Sequence, residues 1–446
     1  TIDIMNKLTI FLLFITVFFT ACEADIDDFT PEKGEADFSS YVAVGNSLTA
    51  GFADGELYRM AQENSFPSIL AEKFATVGGG DFKQPLMTDE AGFGNRLVLG
   101  MAEDCLGTTS LGPVPYPEQP SPQNFQSIAD QGPFHNMGVP GAKSFHLLAE
   151  GYGHPDFGNP YFARFASSQQ TTVMADAMQA QPTFFTAWIG NNDVLGYAMA
   201  GGEADSITSE TMFTQAVGGI VQTLTSAGAK GAIANIPSIA EIAFFNTIPY
   251  NAITVSAEEA TALNSGYSAY NAAAEQFGLD PIVFSEGPNP MIIHDENIPP
   301  ELGSMRQIKE GERVLLSLPQ DSLKCAGWGT QKPVPSQYVL DVEELTEINA
   351  AVNNFNAIIQ GITSDNGLAY VDINAKMKEA ENEIRFDGVG YTLEFVSGGL
   401  FSLDGVHLTG QGYALVANEF ILAINDTYGS KLPTVSVTDY PGIRFP

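Results

Sequence analysis

From residue 38 onward, short apolar runs alternate with stretches of helical spacing, the pattern of an α/β domain built on a largely parallel sheet. Residues 39–44 (Ser-Ser-Tyr-Val-Ala-Val) read as the first strand, 184–189 (Phe-Phe-Thr-Ala-Trp-Ile) as a second, 232–236 as a third and 368–373 as a fourth. Helical spacing covers 65–77, 211–227, 341–362 and 409–428, and the run Gly228-Ala-Lys-Gly231 stops the second of these before its strand. No repeat of fixed period is present. Two stretches break the alternation. Residues 78–135 are rich in Gly, Pro and Ser, and 238–340 mix helix with Pro-punctuated loop. Segments of that length without a regular period are read as insertions on one core, so that 39–446 form a single domain.

The chain ahead of this body has a different pattern. Met5 reads as the start of translation, and an uncharged apolar run from Leu8 to Ala21 stops at Cys22. The run is short for a membrane span, which takes about 20 apolar residues, and suits a signal peptide. Thr20-Ala21-Cys22 resembles the bacterial lipobox, in which the cysteine becomes the lipidated N-terminus. The expectation is therefore a signal peptide over 1–21, membrane attachment through lipidated Cys22, and a tether over 22–38 that carries seven acids and one lysine between residues 23 and 37. Such a protein is an exported bacterial lipoprotein of the cell envelope, at the outer membrane or cell surface. An ordinary signal peptide with an incidental cysteine, or a retained anchor, are the alternatives.

Composition narrows the function. With 53 acidic and 19 basic residues in 446, the net charge is −34, which excludes a nucleic-acid partner because phosphate binding needs a cationic face. Apolar residues make up 44% and charged ones 16%, so most of the chain has surface enough to build a core and is not disordered. At about 150 residues per domain the length admits two or three domains. The 44 glycines and 26 prolines favour one loop-rich domain instead. Cys105 and Cys325 either pair or stay free, and neither has a second metal ligand at short spacing. His135, His146, His154 and His294 also lack metal-ligand spacing, so neither a metal nor a cofactor is expected.

Four short motifs carry candidate chemistry. Gly45-Asn46-Ser47-Leu48 follows the first strand, where a serine in a tight turn presents its hydroxyl to the crevice at the strand ends; a helix N-cap is the bland reading. Asn136-Met-Gly138-Val-Pro-Gly141 offers a backbone N–H unobstructed by a side chain, at Gly141 in preference to Gly138, or is a plain turn. Its Gly-Ala-Lys-Ser ending is not a phosphate loop, because Ala142 interrupts it. Gly190-Asn191-Asn192-Asp193 closes the second strand with an amide able to point at a developing oxyanion, or with a turn. Asp404-Gly-Val-His407, just before the last helix, supplies an acid and a base at a spacing of three. Acyl transfer by serine needs that pair, whereas an Asp capping the helix beside a packed His is the alternative.

Each motif is weak alone, and the ordered set resembles the SGNH hydrolases, also called GDSL esterases and lipases. The resemblance implies a three-layer α/β/α sandwich with a flavodoxin-like sheet and a serine esterase or lipase that forms an acyl-serine. It implies Ser47 as nucleophile, His407 as base and Asp404 as acid, with the oxyanion held by the amides of Ser47 and Gly141 and by the Asn192 side chain. The family's Gly-Asp-Ser-Leu is Gly45-Asn46-Ser47-Leu48 here, a departure outside the catalytic set. An acetyl-carbohydrate esterase, or a catalytically silent binding lipoprotein of the same fold, are the competing expectations. Ala243-Phe244-Phe245 suggests an acyl-chain wall or lid, or plain core packing.

Overall fold

The computed structural model describes residues 29–446, and the chain divides into two compact units, one up to Pro31 and one from Glu32 to Pro446. All that follows concerns the second unit. The signal peptide over 1–21, lipidated Cys22 and the start of the 22–38 tether lie outside the described residues. Among the described residues no helix is long and apolar enough to cross a membrane.

The elements that position the site are, in chain order, β1 (Tyr41–Gly45), α1 (Ser47–Ala50), α2 (Phe66–Ala75), β2 (Leu97–Glu103), β3 (Thr109–Pro115), β4 (Asn136–Gly138), α3 (Pro160–Phe165), β5 (Phe184–Trp188), α4 (Asn192–Met199), α5 (Glu210–Thr225), β6 (Lys230–Ala234), α6 (Gln320–Cys325), α7 (Val342–Asp365), β7 (Ala369–Val371) and α8 (Gly410–Tyr428). Five of the strands form one parallel sheet in the order β7-β6-β5-β1-β4. Every residue of β1 and β5 is buried, which is why both read as unbroken apolar runs: parallel strands are covered on both faces. Helices α2 and α8 pack together, with Phe66 stacked on Phe420 at 4.9 Å, while α5 and α7 pair through Phe213 and Phe355 at 3.9 Å. The result is the α/β/α fold that the resemblance implies, on the largely parallel sheet that the periodicity predicts.

Glu32 pairs with Lys431 just beyond the carboxyl end of α8, so the described chain joins the domain at the end of the sheet where β1 begins. The catalytic candidates lie at the other end.

The two irregular stretches are ordered. Within 78–135, β2 and β3 make an antiparallel hairpin. Within 238–340, Ile253, Ile282, Phe284, Met291, Ile292 and Val334 belong to a second apolar cluster distinct from the one around the central sheet. Cys105 at the hairpin tip is disulfide-bonded to Cys325 on α6, with a Cα–Cα distance of 6.4 Å, which resolves the pairing left open above. Lys324 and Asp104 pair across the same junction at 2.8 Å. The disulfide closes a loop of 220 residues in the unfolded chain. Its removal by Cys105→Ser with Cys325→Ser is expected to lower stability by about 2–5 kcal/mol, read by urea unfolding with and without the bond. An unchanged unfolding midpoint would show that the bond constrains nothing.

Candidate active site

The carboxyl ends of β1, β4 and β5 lie side by side, with Gly45 in register with both Gly138 and Trp188. The loops leaving these three ends carry Ser47, Gly141 and Asn192. The fourth segment, 401–408, returns to the same rim as a tight loop closed by a Phe401–Leu408 bridge and a Ser402 N–H to His407 C=O bond of 2.8 Å.

Ser47 is the first residue of α1, but it does not cap that helix. Asn46 does, its Oδ1 accepting the Leu48 N–H at 3.0 Å. The Ser47 hydroxyl is thereby left for His407, whose Nε2 stands 2.8 Å from Ser47 Oγ. His407 Nδ1 lies 2.9 Å from Asp404 Oδ2. Asp404 is not a cap either, since Thr409 accepts the Gly412 N–H and opens α8. The Asp404 carboxylate instead receives Gly55 N–H on Oδ2 at 2.8 Å, and Val406 N–H and His407 N–H on Oδ1 at 2.9 and 2.8 Å. Burial alone would raise its pKa. The charge of a protonated His407 and the hydrogen bonds from His407 and Val406 outweigh that and hold the carboxyl well below the usual range. Asp404 is thus an ionised acceptor throughout the weakly acidic and neutral range.

Gly138 and Gly141 differ in what surrounds them. A Cβ at Gly138 would strike the backbone of Thr49 and Ala50, so this glycine lets β4 lie directly against α1. Gly141 is exposed, has φ +80°, and a Cβ there would meet only Asn159 Nδ2 at 3.9 Å. Among the described residues neither the Gly141 nor the Ser47 N–H has an acceptor, so both amides are free to donate to a ligand. Asn192 begins α4 and donates one Nδ2 hydrogen to Ala142 C=O at 2.9 Å. An amide nitrogen carries two hydrogens, so a second is left for the crevice.

Several residues that sequence reasoning passed over hold this arrangement. Asn46 Nδ2 donates to Asn191 Oδ1 at 3.1 Å, joining the serine turn to the Asn192 loop. An aspartate at position 46 has no hydrogen to donate there, so the departure from Gly-Asp-Ser-Leu carries a structural role as well. Asp193 accepts the Ser144 N–H at 2.8 Å and its hydroxyl at 2.7 Å, fastening the Gly141 loop to α4. Burial raises the Asp193 pKa, and the Ser144 bonds oppose this. Behind Asp404, the Ser402 hydroxyl donates to Asp404 Oδ1 at 3.2 Å and accepts Asp54 N–H at 2.9 Å. Nothing in the local pattern signals Asn46 or Ser402; only their neighbours in space do.

The insertions and the segment around 395–404 wall a cavity of about 1220 Å³ whose lining includes Leu97, Phe244, Leu316, Phe395 and Asp404. Phe245 is fully buried core, whereas Phe244 contributes to this wall. Among the described residues no group of three His, Cys, Asp or Glu is placed to hold a metal ion.

No protein-family model matches this chain, and no curated protein matches it. Among solved structures it is similar to a lipase/acylhydrolase from Enterococcus faecalis, with 10% identity and a TM-score of 0.32, over 89% of this chain and 98% of that one.

Proposed function

We propose that this protein is a serine esterase of the SGNH type, hydrolysing carboxylic esters through an acyl-serine. The observation that carries the reading is the continuous chain Ser47 Oγ, His407 Nε2, His407 Nδ1, Asp404 Oδ2, with links of 2.8 and 2.9 Å. A serine hydroxyl is a weak nucleophile until a positioned base takes its proton. With Asp404 ionised and accepting from Nδ1–H, the imidazole keeps its lone pair on Nε2, facing Ser47.

In this scheme His407 takes the Ser47 proton as Oγ attacks the carbonyl carbon, and the carbonyl electron pair moves onto oxygen. The oxyanion is met by the free N–H groups of Ser47 and Gly141 and by the second Nδ2 hydrogen of Asn192. His407 then delivers its proton to the departing alcohol oxygen, leaving Ser47 acylated. Water, deprotonated by His407, attacks the acyl carbon, and collapse returns the proton to Ser47 and frees the acid. Asp404 stays charged throughout and balances the imidazolium in both halves.

The direct test is labelling with a fluorophosphonate probe, which needs an activated serine and not merely a crevice. Covalent attachment at Ser47 supports the enzyme; absence of labelling in folded protein favours the silent binding protein. Within the enzyme reading, Asn192→Ala is expected to lower kcat by about 10²- to 10³-fold with a smaller change in KM, because its donor strengthens as charge develops on oxygen. An unchanged kcat would remove Asn192 from the oxyanion site.

A further inference from the structure

We propose that Phe52, Tyr161, Phe93 and Phe125 form a strip that receives the acyl chain of the ester, so that the substrate carries a long aliphatic acyl group. This deepens the esterase reading and rests on it.

The four rings follow one another outward from the base. Phe52 lies 4.5 Å, centroid to centroid, from the His407 imidazole, and Tyr161 lies 6.1 Å from Phe52. Phe93 lies 5.0 Å from Tyr161, and Phe125 lies 5.1 Å from Phe93. Ala50, Leu57 and Met87 back the first three rings. Those three are half-buried, while Phe125 ends the row with 62% of its surface exposed. An apolar row that starts at the His407 ring and ends on a largely exposed phenylalanine offers a binding surface on its outer side.

Polar chemistry on the strip is turned inward. The Tyr161 hydroxyl donates to Glu56 Oε1 at 2.8 Å, and Glu56 is fully buried. Asn95 donates one Nδ2 hydrogen to Glu56 Oε2 at 3.2 Å. The one polar atom on the four rings is thus paired, which leaves hydrocarbon as the surface the rings themselves offer.

The Gly141 loop ties the strip to the acyl half of the ester, because its free amide is placed to meet the carbonyl oxygen and the loop is joined to Tyr161. There Asn159 Nδ2 donates to Pro140 C=O at 2.8 Å, and Asn159 Oδ1 caps α3 by accepting the Tyr161 N–H at 3.0 Å. Of the catalytic candidates only Asp404 lines the cavity beside Leu97 and Phe244, whereas the strip begins at the His407 ring.

The experiment compares kcat/KM for p-nitrophenyl acetate, butyrate, octanoate and dodecanoate in the full protein, in Phe93→Ser and in Phe125→Ser. Wild-type kcat/KM is expected to rise about two- to fourfold per methylene from butyrate to octanoate. Both variants should lose about tenfold on octanoate and dodecanoate while acetate stays within about twofold. Phe125 is exposed, so its variant carries the test alone if Phe93→Ser does not fold. A wild-type profile that is flat or falling beyond butyrate overturns the strip, as does an unaltered profile in Phe125→Ser. A chain-length dependence that appears with octyl acetate and not with octanoate esters also overturns it, by assigning the rings to the alcohol. If no ester is hydrolysed, the esterase reading fails separately. The strip is then judged by titration with dansyl-labelled undecanoic acid: saturable binding weakened by Phe125→Ser sustains it, and equal or absent binding overturns it.

Discussion

Ser47→Ala is expected to abolish ester turnover, with a fall in kcat of about 10⁶-fold. The size follows from position. Ser47 Oγ is the only oxygen within hydrogen-bonding distance of His407 Nε2 among the described residues, at 2.8 Å, so no neighbouring hydroxyl can take its place. The loss should come without a loss of fold. Asn46, not Ser47, caps α1, and the removed hydroxyl makes no bond that holds the backbone. Hydrolysis of a p-nitrophenyl ester by wild type and variant, with melting curves for both, gives the answer. Undiminished turnover in the folded variant would refute the assignment of the nucleophile. Retained fluorophosphonate labelling would refute it independently.

The second large effect is expected from Asp404→Asn, a change of one atom. The Asp404 carboxylate faces donors only: His407 Nδ1–H and Gly55 N–H on one oxygen, Val406 N–H, His407 N–H and the Ser402 hydroxyl on the other. An amide placed there must aim its NH₂ at one of these sets. If it faces His407, Nδ1 becomes the acceptor, the proton moves to Nε2, and the imidazole can no longer accept from Ser47. The expected fall in kcat is about 10⁴-fold. If the amide turns the other way, two backbone N–H groups lose their acceptor, at about 1–3 kcal/mol for a buried unsatisfied donor. Steady-state kinetics and thermal unfolding together separate these outcomes, and a drop smaller than about tenfold with unchanged stability would mean that Asp404 does not orient the base.

Much of this molecule is legible along the chain, for physical reasons that also explain what is not. β1 and β5 are buried on both faces, so each appears as an uninterrupted apolar run, and α5, α7 and α8 are long enough for their period to show. β4 is three residues long and lies at the edge of the sheet, too short for any period, and so reads only as a glycine-containing motif. The ordered blocks around Ser47, Gly141, Asn192 and His407 announce themselves because each follows a strand end or precedes a helix. The contacts that hold those blocks together do not. Asn46 and Asn191 are 145 residues apart, and Asp54 and Leu403 are 349 apart, so nothing local in the sequence connects them. The row of rings is hidden for the same reason: positions 52, 93, 125 and 161 share no spacing, and two loops, a 3₁₀ helix over Pro122–Phe125 and α3 bring them together.

The Glu32–Lys431 pairing bears on how the molecule can be handled. Helix α8 runs from the catalytic rim at Gly410 to Tyr428, 19 residues or about 28 Å, before the chain meets Glu32. A resin, dye or fusion partner grafted ahead of Glu32 is therefore joined to the domain a full sheet length from Ser47. Attachment at that end leaves the strand ends that carry Ser47, Gly141 and Asn192 uncovered.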